Sequence, residues 1–199
     1  MSLDAPLGVR VATAADRAAV VATTVAAFAA DPAWAFILGD AYDRVAPLFA
    51  GALFDQRVEQ GTVWVASDAS SVAMWDRPGG PDPRVRDRAW AAFHGSAGAD
   101  VEARLSAYDG ALEAVGPKQP FWYLGVLATH PAAAGRGGAT RVLQPGLARA
   151  DADGLPTALE TSSLANREFY ARRGFTRSTE VSIAGGPPTW WLVRPALRP

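Results

Sequence analysis

Two stretches of the chain carry residue types and spacings suited to chemistry. The first is Gly135-Arg136-Gly137-Gly138-Ala139-Thr140, a loop that opens a run of helical spacing. The first turn of a helix leaves backbone N–H groups without partners, and the helix dipole is positive there. Glycine lets the backbone come close to a ligand and permits positive φ. Such a loop suits an anion, a pyrophosphate above all, and Arg136 would add a charge-assisted contact. The same letters also fit a glycine-rich turn that binds nothing. A Walker loop would end in Gly-Lys-Ser/Thr, which is absent. A dinucleotide fingerprint would sit directly behind its strand, whereas residues 129–134 intervene here and its third glycine is missing. The second stretch is Asn166-Arg167-Glu168-Phe169-Tyr170-Ala171-Arg172-Arg173-Gly174-Phe175, behind a segment ending Leu159-Glu160-Thr161. Taken alone, Asn166 fits a helix cap near Ser163, and Tyr170 fits core packing beside Phe169.

Composition removes several alternatives. The chain has 199 residues, 49% hydrophobic and 20% charged, with a net charge of -1. That suits one globular domain. No basic excess exists to neutralise a phosphate backbone, so nucleic acid is not an expected partner. The absence of cysteine excludes disulfides, cysteine nucleophiles, iron–sulfur clusters and thiolate zinc sites. The only histidines, His94 and His130, lie far apart, so no metal site is expected. No local signature of a Ser-His-Asp triad is present. The segment 3–8 lacks a basic start and an apolar core, so no signal peptide is expected. The apolar stretch 20–30 is too short to span a bilayer. A cytoplasmic protein without a membrane partner is the expectation.

The elements that must position these residues read as follows. A short strand over 9–12 precedes a helix over 14–30, with Thr13 as its cap and Asp31-Pro32 as its stop. A second helix covers 45–60. Strands over 62–66 and 71–75 form a hairpin. Two helices, 85–94 and 101–115, follow a proline- and glycine-rich loop. The unbroken apolar run 121–128 reads as a buried strand. Next come a helix over 139–152, a strand over 156–160 and a short helix over 165–173. Strands over 175–183 and 189–193 flank a turn at 185–188. Trp190 and Trp191 fall on opposite faces of the last strand, so one must point outward or into an interface.

The glycine loop and the N-x-x-F-Y-x-x-x-G-F run of Asn166 to Phe175, in this order, resemble the two signatures of the GNAT superfamily of acetyl-CoA-dependent N-acetyltransferases. Members that acetylate aminonucleoside antibiotics are similar over nearly the whole chain. The likeness runs through Val9-Arg10-Val11-Ala12-Thr13, Ala27-Phe28-Ala29, Val63-Trp64-Val65-Ala66 with Val72-Ala73-Met74-Trp75, and Trp122-Tyr123-Leu124. It continues in Gln144-Pro145-Gly146, Leu159-Glu160-Thr161-Ser162 and Gly186-Pro187-Pro188-Thr189-Trp190, and is weakest over 77–116. Two departures stand out. Ala134 replaces the Gln/Arg that heads the phosphate loop, and Asp31 stands where those members carry a tyrosine before the proline.

The resemblance implies a mixed α/β fold over residues 1–199 as one domain. Its central, mostly antiparallel twisted sheet carries helices on both faces, and a splayed strand pair binds acetyl-CoA. It implies backbone contacts to the cofactor from Leu127, Ala128 and Thr129. The phosphate loop would be Gly135, Arg136, Gly137, Gly138, Ala139 and Thr140, and Asn166 would bond the pantetheine arm. It makes Tyr170 the general acid that protonates the departing thiolate; a phenol with pKa near 10 is protonated at neutral pH. Glu160 is the first candidate base, with Asp31 second and Asp109 and Glu113 behind. Glu160 equally fits a carboxylate that only binds a cationic acceptor. Phe28, Asp31, Trp34, Trp75 and Tyr108 are expected to line the acceptor pocket, with Phe36 and Trp90 nearby. A flat or cationic acceptor would stack there. His130 reads as a surface residue. Without cysteine no acyl-cysteine intermediate forms, so the amine attacks directly in a ternary complex. The expected reaction is acetyl transfer to a primary amine of a small molecule, an aminonucleoside or other antibiotic included, by a monomer or homodimer. Protein, peptide or polyamine acetylation and a non-catalytic acyl-CoA sensor are the alternatives.

Overall fold

The computed structural model describes residues 8–197, so most of the 3–8 segment lies outside the described residues. Strand β1 (Val9–Val11) leads into a short turn in which the Asp16 carboxylate accepts from the Thr13 N–H at 2.8 Å and from its hydroxyl. Helix α1 (Arg17–Phe28) follows. The Asp31-Pro32 pair then starts a helix as well as ending one, which corrects the sequence reading. Proline at the first helical position has no needed N–H to lose. Asp31 Oδ1 accepts from the amides of Ala33 and Trp34 at 2.9 and 3.0 Å, which caps α2 (Pro32–Leu38). Helix α3 (Tyr42–Val58), the hairpin β2 (Val63–Ala66) and β3 (Ser71–Asp76), and helices α4 (Pro83–Ala97) and α5 (Ala99–Val115) complete the first part. The second part is β4 (Trp122–Thr129), α6 (Gly138–Ala152), β5 (Thr157–Thr161), α7 (Leu164–Ala171), β6 (Arg177–Val181) and β7 (Thr189–Arg194).

The strands form a seven-stranded sheet in the order β1-β2-β3-β4-β5-β7-β6. Every neighbouring pair is antiparallel except β4 and β5. That parallel pair joins only through Trp122↔Thr157 and Tyr123↔Ala158, and beyond these rungs the strands part. Along β4, Trp122 and Leu124 are buried on the α6 face and Val126 and Ala128 on the α1 face, while the alternate residues are half-buried.

Helices cover both faces. Val20 of α1 and Phe54 of α3 pack on Val63, Val65, Val72, Met74 and Val126. Beside them, α2 to α5 pack over Ala158, Val181 and Trp191. Helices α6 and α7 cover the other face through Val142, Leu143, Leu147 and Tyr170. Register slips between Met74 and Trp75, so Gly125 of β4 has no partner in β3 and forms a bulge. In β7, Trp191 is buried and its indole N–H donates to Leu112 O at 2.8 Å. Trp190 faces the other way beneath the Arg167 guanidinium, 4.5 Å from its ring centre.

Candidate active site

Where β4 and β5 part, a cavity of about 240 Å³ opens. Leu127 reaches it from β4, Glu160 from β5, and Asn166 and Tyr170 from α7. Phe28, Asp31, Trp34 and Tyr108 close it from the helical side. The two proposed chemical groups and four of the five expected acceptor residues therefore share one space.

Glu160 sits near the end of β5, two residues beyond the last contact with β4. Tyr123 of β4 donates its hydroxyl to both carboxylate oxygens, at 2.8 and 2.7 Å. Burial pushes the Glu160 carboxyl up to about 7; the Tyr123 hydrogen bond and Arg57 oppose the rise, and Asp109 adds to it. Tyr170 is 7% exposed and packs edge-on against Phe169 and Phe175. Burial, with the charge of Glu160, holds its phenol above the ordinary value, so it keeps its proton at neutral pH. Among the described residues its hydroxyl makes no hydrogen bond. Tyr108 is raised for the same two reasons. Asp31 is raised by burial against the pull of the Trp34 and Ala33 amides. Asp109, on α5, is pushed up to about 6 by burial and by Glu113.

The helical wall of the cavity is aromatic, with one correction to the expected lining. Phe28 lies 4.7 Å from Trp34, Trp34 lies 4.9 Å from Phe49, and Phe49 lies 5.3 Å from Trp90. The Trp90 indole N–H is satisfied by Gln56 at 2.6 Å. Trp75 does not belong to this wall. It is 0% exposed and lies on the α6 face of the sheet, where Gly146 makes room for it. Strand alternation decides this: Met74 faces α3, so Trp75 must face α6. Phe36 packs on the helical core outside the cavity lining.

The cofactor side needs a second correction. The amide of His130 donates to Ser70 O, and Thr129 stands opposite Ser71. By antiparallel alternation, the backbone groups of Ala128 face β3, while those of Leu127 and Thr129 face the side from which β5 has withdrawn. Ala128, with its side chain buried in the core below α1, has nothing left to offer a cofactor. Leu127 and Thr129 do, although the Thr129 hydroxyl is shared with Ser71 at 3.0 Å.

The glycine loop adjoins the end of this strand. Gly135 and Gly137 have φ of 78° and 74°, and Gly137 caps α6 without any side-chain cap. A Cβ on Gly138 would meet Ser71 Oγ at 2.1 Å, so only glycine lets the helix start so close to the sheet. Arg136 is exposed. Thr140 is tied down, its hydroxyl accepting from Arg173 Nη2 at 2.5 Å. An uncapped helix start beside two open strand amides fits the phosphate and amide-bearing arm of acetyl-CoA. Asn166 is exposed; its backbone amide is capped by the Ser163 hydroxyl at 3.4 Å, which leaves its own side chain free at the cavity.

Four contributors went unread in the sequence. Tyr123 had one signal, a hydroxyl inside a buried strand, which demands a partner. Gly125 had another, a glycine within a strand. Arg173 lay inside the second signature but without an assigned contact; its guanidinium sits 3.5 Å from the Phe169 ring centre. Arg57 had none: it is 2% exposed, pairs with Asp76 at 2.6 Å and lines the cavity.

Residues 73–175 match the model of the acetyltransferase (GNAT) family, and the chain belongs to that family. It is therefore an acyltransferase, from a family that uses acetyl-CoA as co-substrate. Solved structures agree in fold. A Corynebacterium glutamicum structure described as histone acetyltransferase HPA2 and related acetyltransferase is 29% identical, with a TM-score of 0.65 over 97% of this chain and 98% of that one. An agmatine N-acetyltransferase variant is 16% identical, with a TM-score of 0.65 over 95% and 99%. A Drosophila melanogaster polyamine N-acetyltransferase that forms N-acetylagmatine is 16% identical, with a TM-score of 0.62 over 94% and 98%.

Proposed function

We propose that residues 1–199 act as one cytoplasmic domain that transfers acetyl from acetyl-CoA directly onto a primary amine of a small molecule. The observation that carries this reading is the meeting of Glu160 and Tyr170 in one cavity at the strand splay. The bound thioester supplies the acyl carbon. Leu127 and Thr129 would hold its arm through their free backbone groups, and residues 135–140 would hold its phosphates. Glu160 takes a proton from the incoming ammonium, which frees the nitrogen lone pair. That lone pair forms the C–N bond as the C–S bond breaks. Tyr170 gives its proton to the departing sulfur, and the second proton shed by the acylated nitrogen returns to the phenolate through solvent, while the first leaves Glu160 for bulk water. A base near 7 is poised for this work at neutral pH.

Phe28, Trp34 and Tyr108 around Asp31 suit a flat or cationic amine. The likeness to puromycin N-acetyltransferase makes puromycin the first aminonucleoside to try. A specific observation favours a polyamine as second reading. Asp109 and Tyr123 also border a second cavity of about 650 Å³ that includes Glu113 and Asp76. A long cation threading from one cavity to the other would meet carboxylates along its length. The similarity to the agmatine and polyamine enzymes supports the same choice.

Thiol release from acetyl-CoA tests the reading, with puromycin, agmatine, putrescine and a lysine peptide as acceptors. Release with puromycin alone supports the aminonucleoside assignment, and release with the diamines supports the second. Calorimetric binding of acetyl-CoA without release from any of a wide amine panel would refute catalysis and leave a sensor.

A further inference from the structure

We infer that Tyr123 is a positioning residue for acetyl transfer: its hydroxyl pins the Glu160 carboxylate at the opening of the strand splay, aimed into the acceptor cavity. The inference rests on the reading of Glu160 as the base.

The geometry isolates Tyr123 for this task. Its pairing with Ala158 is the last rung between β4 and β5, and Glu160 lies two residues beyond Ala158. From there on β4 no longer flanks β5, so a carboxylate at position 160 has no strand neighbour on that side to fix its rotamer. The Tyr123 hydroxyl spans the gap and donates to both oxygens, at 2.8 and 2.7 Å. Tyr123 is itself held from the side by Trp191, whose ring centre lies 5.8 Å away. Burial and the adjoining Glu160 charge keep its phenol protonated, so it remains a donor throughout the working range. Gly125 completes the arrangement. A Cβ there would meet Arg57 Nη2 at 2.5 Å and the Tyr123 ring at 3.2 Å, so the bulge lets the guanidinium and the phenol pass each other.

Other groups face the same carboxylate from each packed element. Tyr108 and Asp109 face it from α5, Tyr170 from α7, Arg57 from α3 and Asp31 from the head of α2. The phenols are neutral, Asp109 opposes ionisation, and Arg57 favours it. Tyr123 alone among the described residues gives the carboxylate a side-chain hydrogen bond. Such a bond favours the charged form. Its removal must raise the pH at which the base becomes competent.

The test follows kcat/KM from pH 5.5 to 9.5 in wild type, Tyr123→Phe and Glu160→Gln, using the amine that gives thiol release. Difference infrared titration of the carboxyl band that Glu160→Gln abolishes reads the same group without an acceptor. Tyr123→Phe should move the acid limb, and the band's midpoint, upward by about one pH unit. Activity then falls roughly tenfold at pH 6 and stays within about twofold of wild type at pH 9. An equal loss at every pH would reduce Tyr123 to a packing role and overturn the inference. So would an unmoved limb. If the limb survives in Glu160→Gln, the base assignment itself falls, which is a separate failure. If the phenylalanine variant does not fold, 3-fluorotyrosine installed at position 123 serves instead. Its stronger donor should move the limb down, and no movement would overturn the inference.

Discussion

Replacing Glu160 with glutamine should make the fold more stable in mildly alkaline solution while it removes activity. In the folded chain burial raises the carboxyl from 4.5 to about 7, only partly offset by the hydrogen bond from Tyr123. The native state therefore holds this proton more tightly than the unfolded chain does. The contribution to stability is fully present below pH 4.5 and is lost as pH climbs through about 7. The whole rise amounts to roughly 3 kcal/mol, carried by the wild type as a cost at pH 8 and absent from the neutral glutamine. Since each kcal/mol moves the midpoint of a chain this long by about 2–4 °C, Glu160→Gln should melt several degrees higher at pH 8. At pH 4 the two proteins should melt together, both being neutral at this position. Calorimetric melts at the two pH values measure the difference directly. Thiol release with a working acceptor should fall by about 10²–10⁴, the usual worth of a general base. An identical melting difference at both pH values would refute the displaced titration. Undiminished turnover would refute the catalytic assignment.

Tyr170→Phe should lower kcat by about 10²–10⁴ at neutral pH, while calorimetric affinity for acetyl-CoA stays within a factor of about two; unchanged kcat would remove Tyr170 as the acid. Asp31→Ala strips the cap from α2 and should cost about 1 kcal/mol in chemical denaturation. Asp31→Asn should keep that stability and raise KM only for cationic acceptors, and an unchanged KM for them would deny Asp31 a binding role. Gly146→Ala places a methyl about 2.2 Å from the fully buried Trp75 indole. The cost of overpacking, about 1–3 kcal/mol, outweighs the usual helical preference for alanine. The thermal midpoint should fall, and Trp75→Phe in the same chain should restore it.

Much of this site is written locally. The glycine loop and the helix it opens, Gly138–Ala152, follow from glycine's φ range and from the periodicity behind it. The run from Asn166 to Phe175 places Tyr170 on α7, and the hairpin of β2 and β3 follows from two short apolar runs and the polar turn between them. Other residues were misread for definite reasons. Asp31-Pro32 carries the same letters whether it stops one helix or caps the next, and only the direction of the Asp31 side chain separates the two. Ala128 sits between two useful backbone positions, yet strand parity spends its own groups on β3. Trp75 and Trp34 are one residue type, but strand parity turns Trp75 toward α6 while Trp34 packs from α2 on the opposite face of the sheet.

The chain by itself determined the order of the elements apart from α2, the loop with its helix, and the presence of Tyr170 and Glu160 behind a strand end. These depend on residues close in sequence, where propensity, capping and periodicity act. The tertiary structure alone decided that β4 and β5 part after Tyr123, and that Tyr123 reaches Glu160 across 37 residues of chain. It also decided that Gly125 clears a path for Arg57, and that burial lifts Glu160 to about 7. These are consequences of packing. Desolvation and hydrogen bonding depend on which distant groups are brought within a few ångströms, and that is set only when the helices close over the sheet.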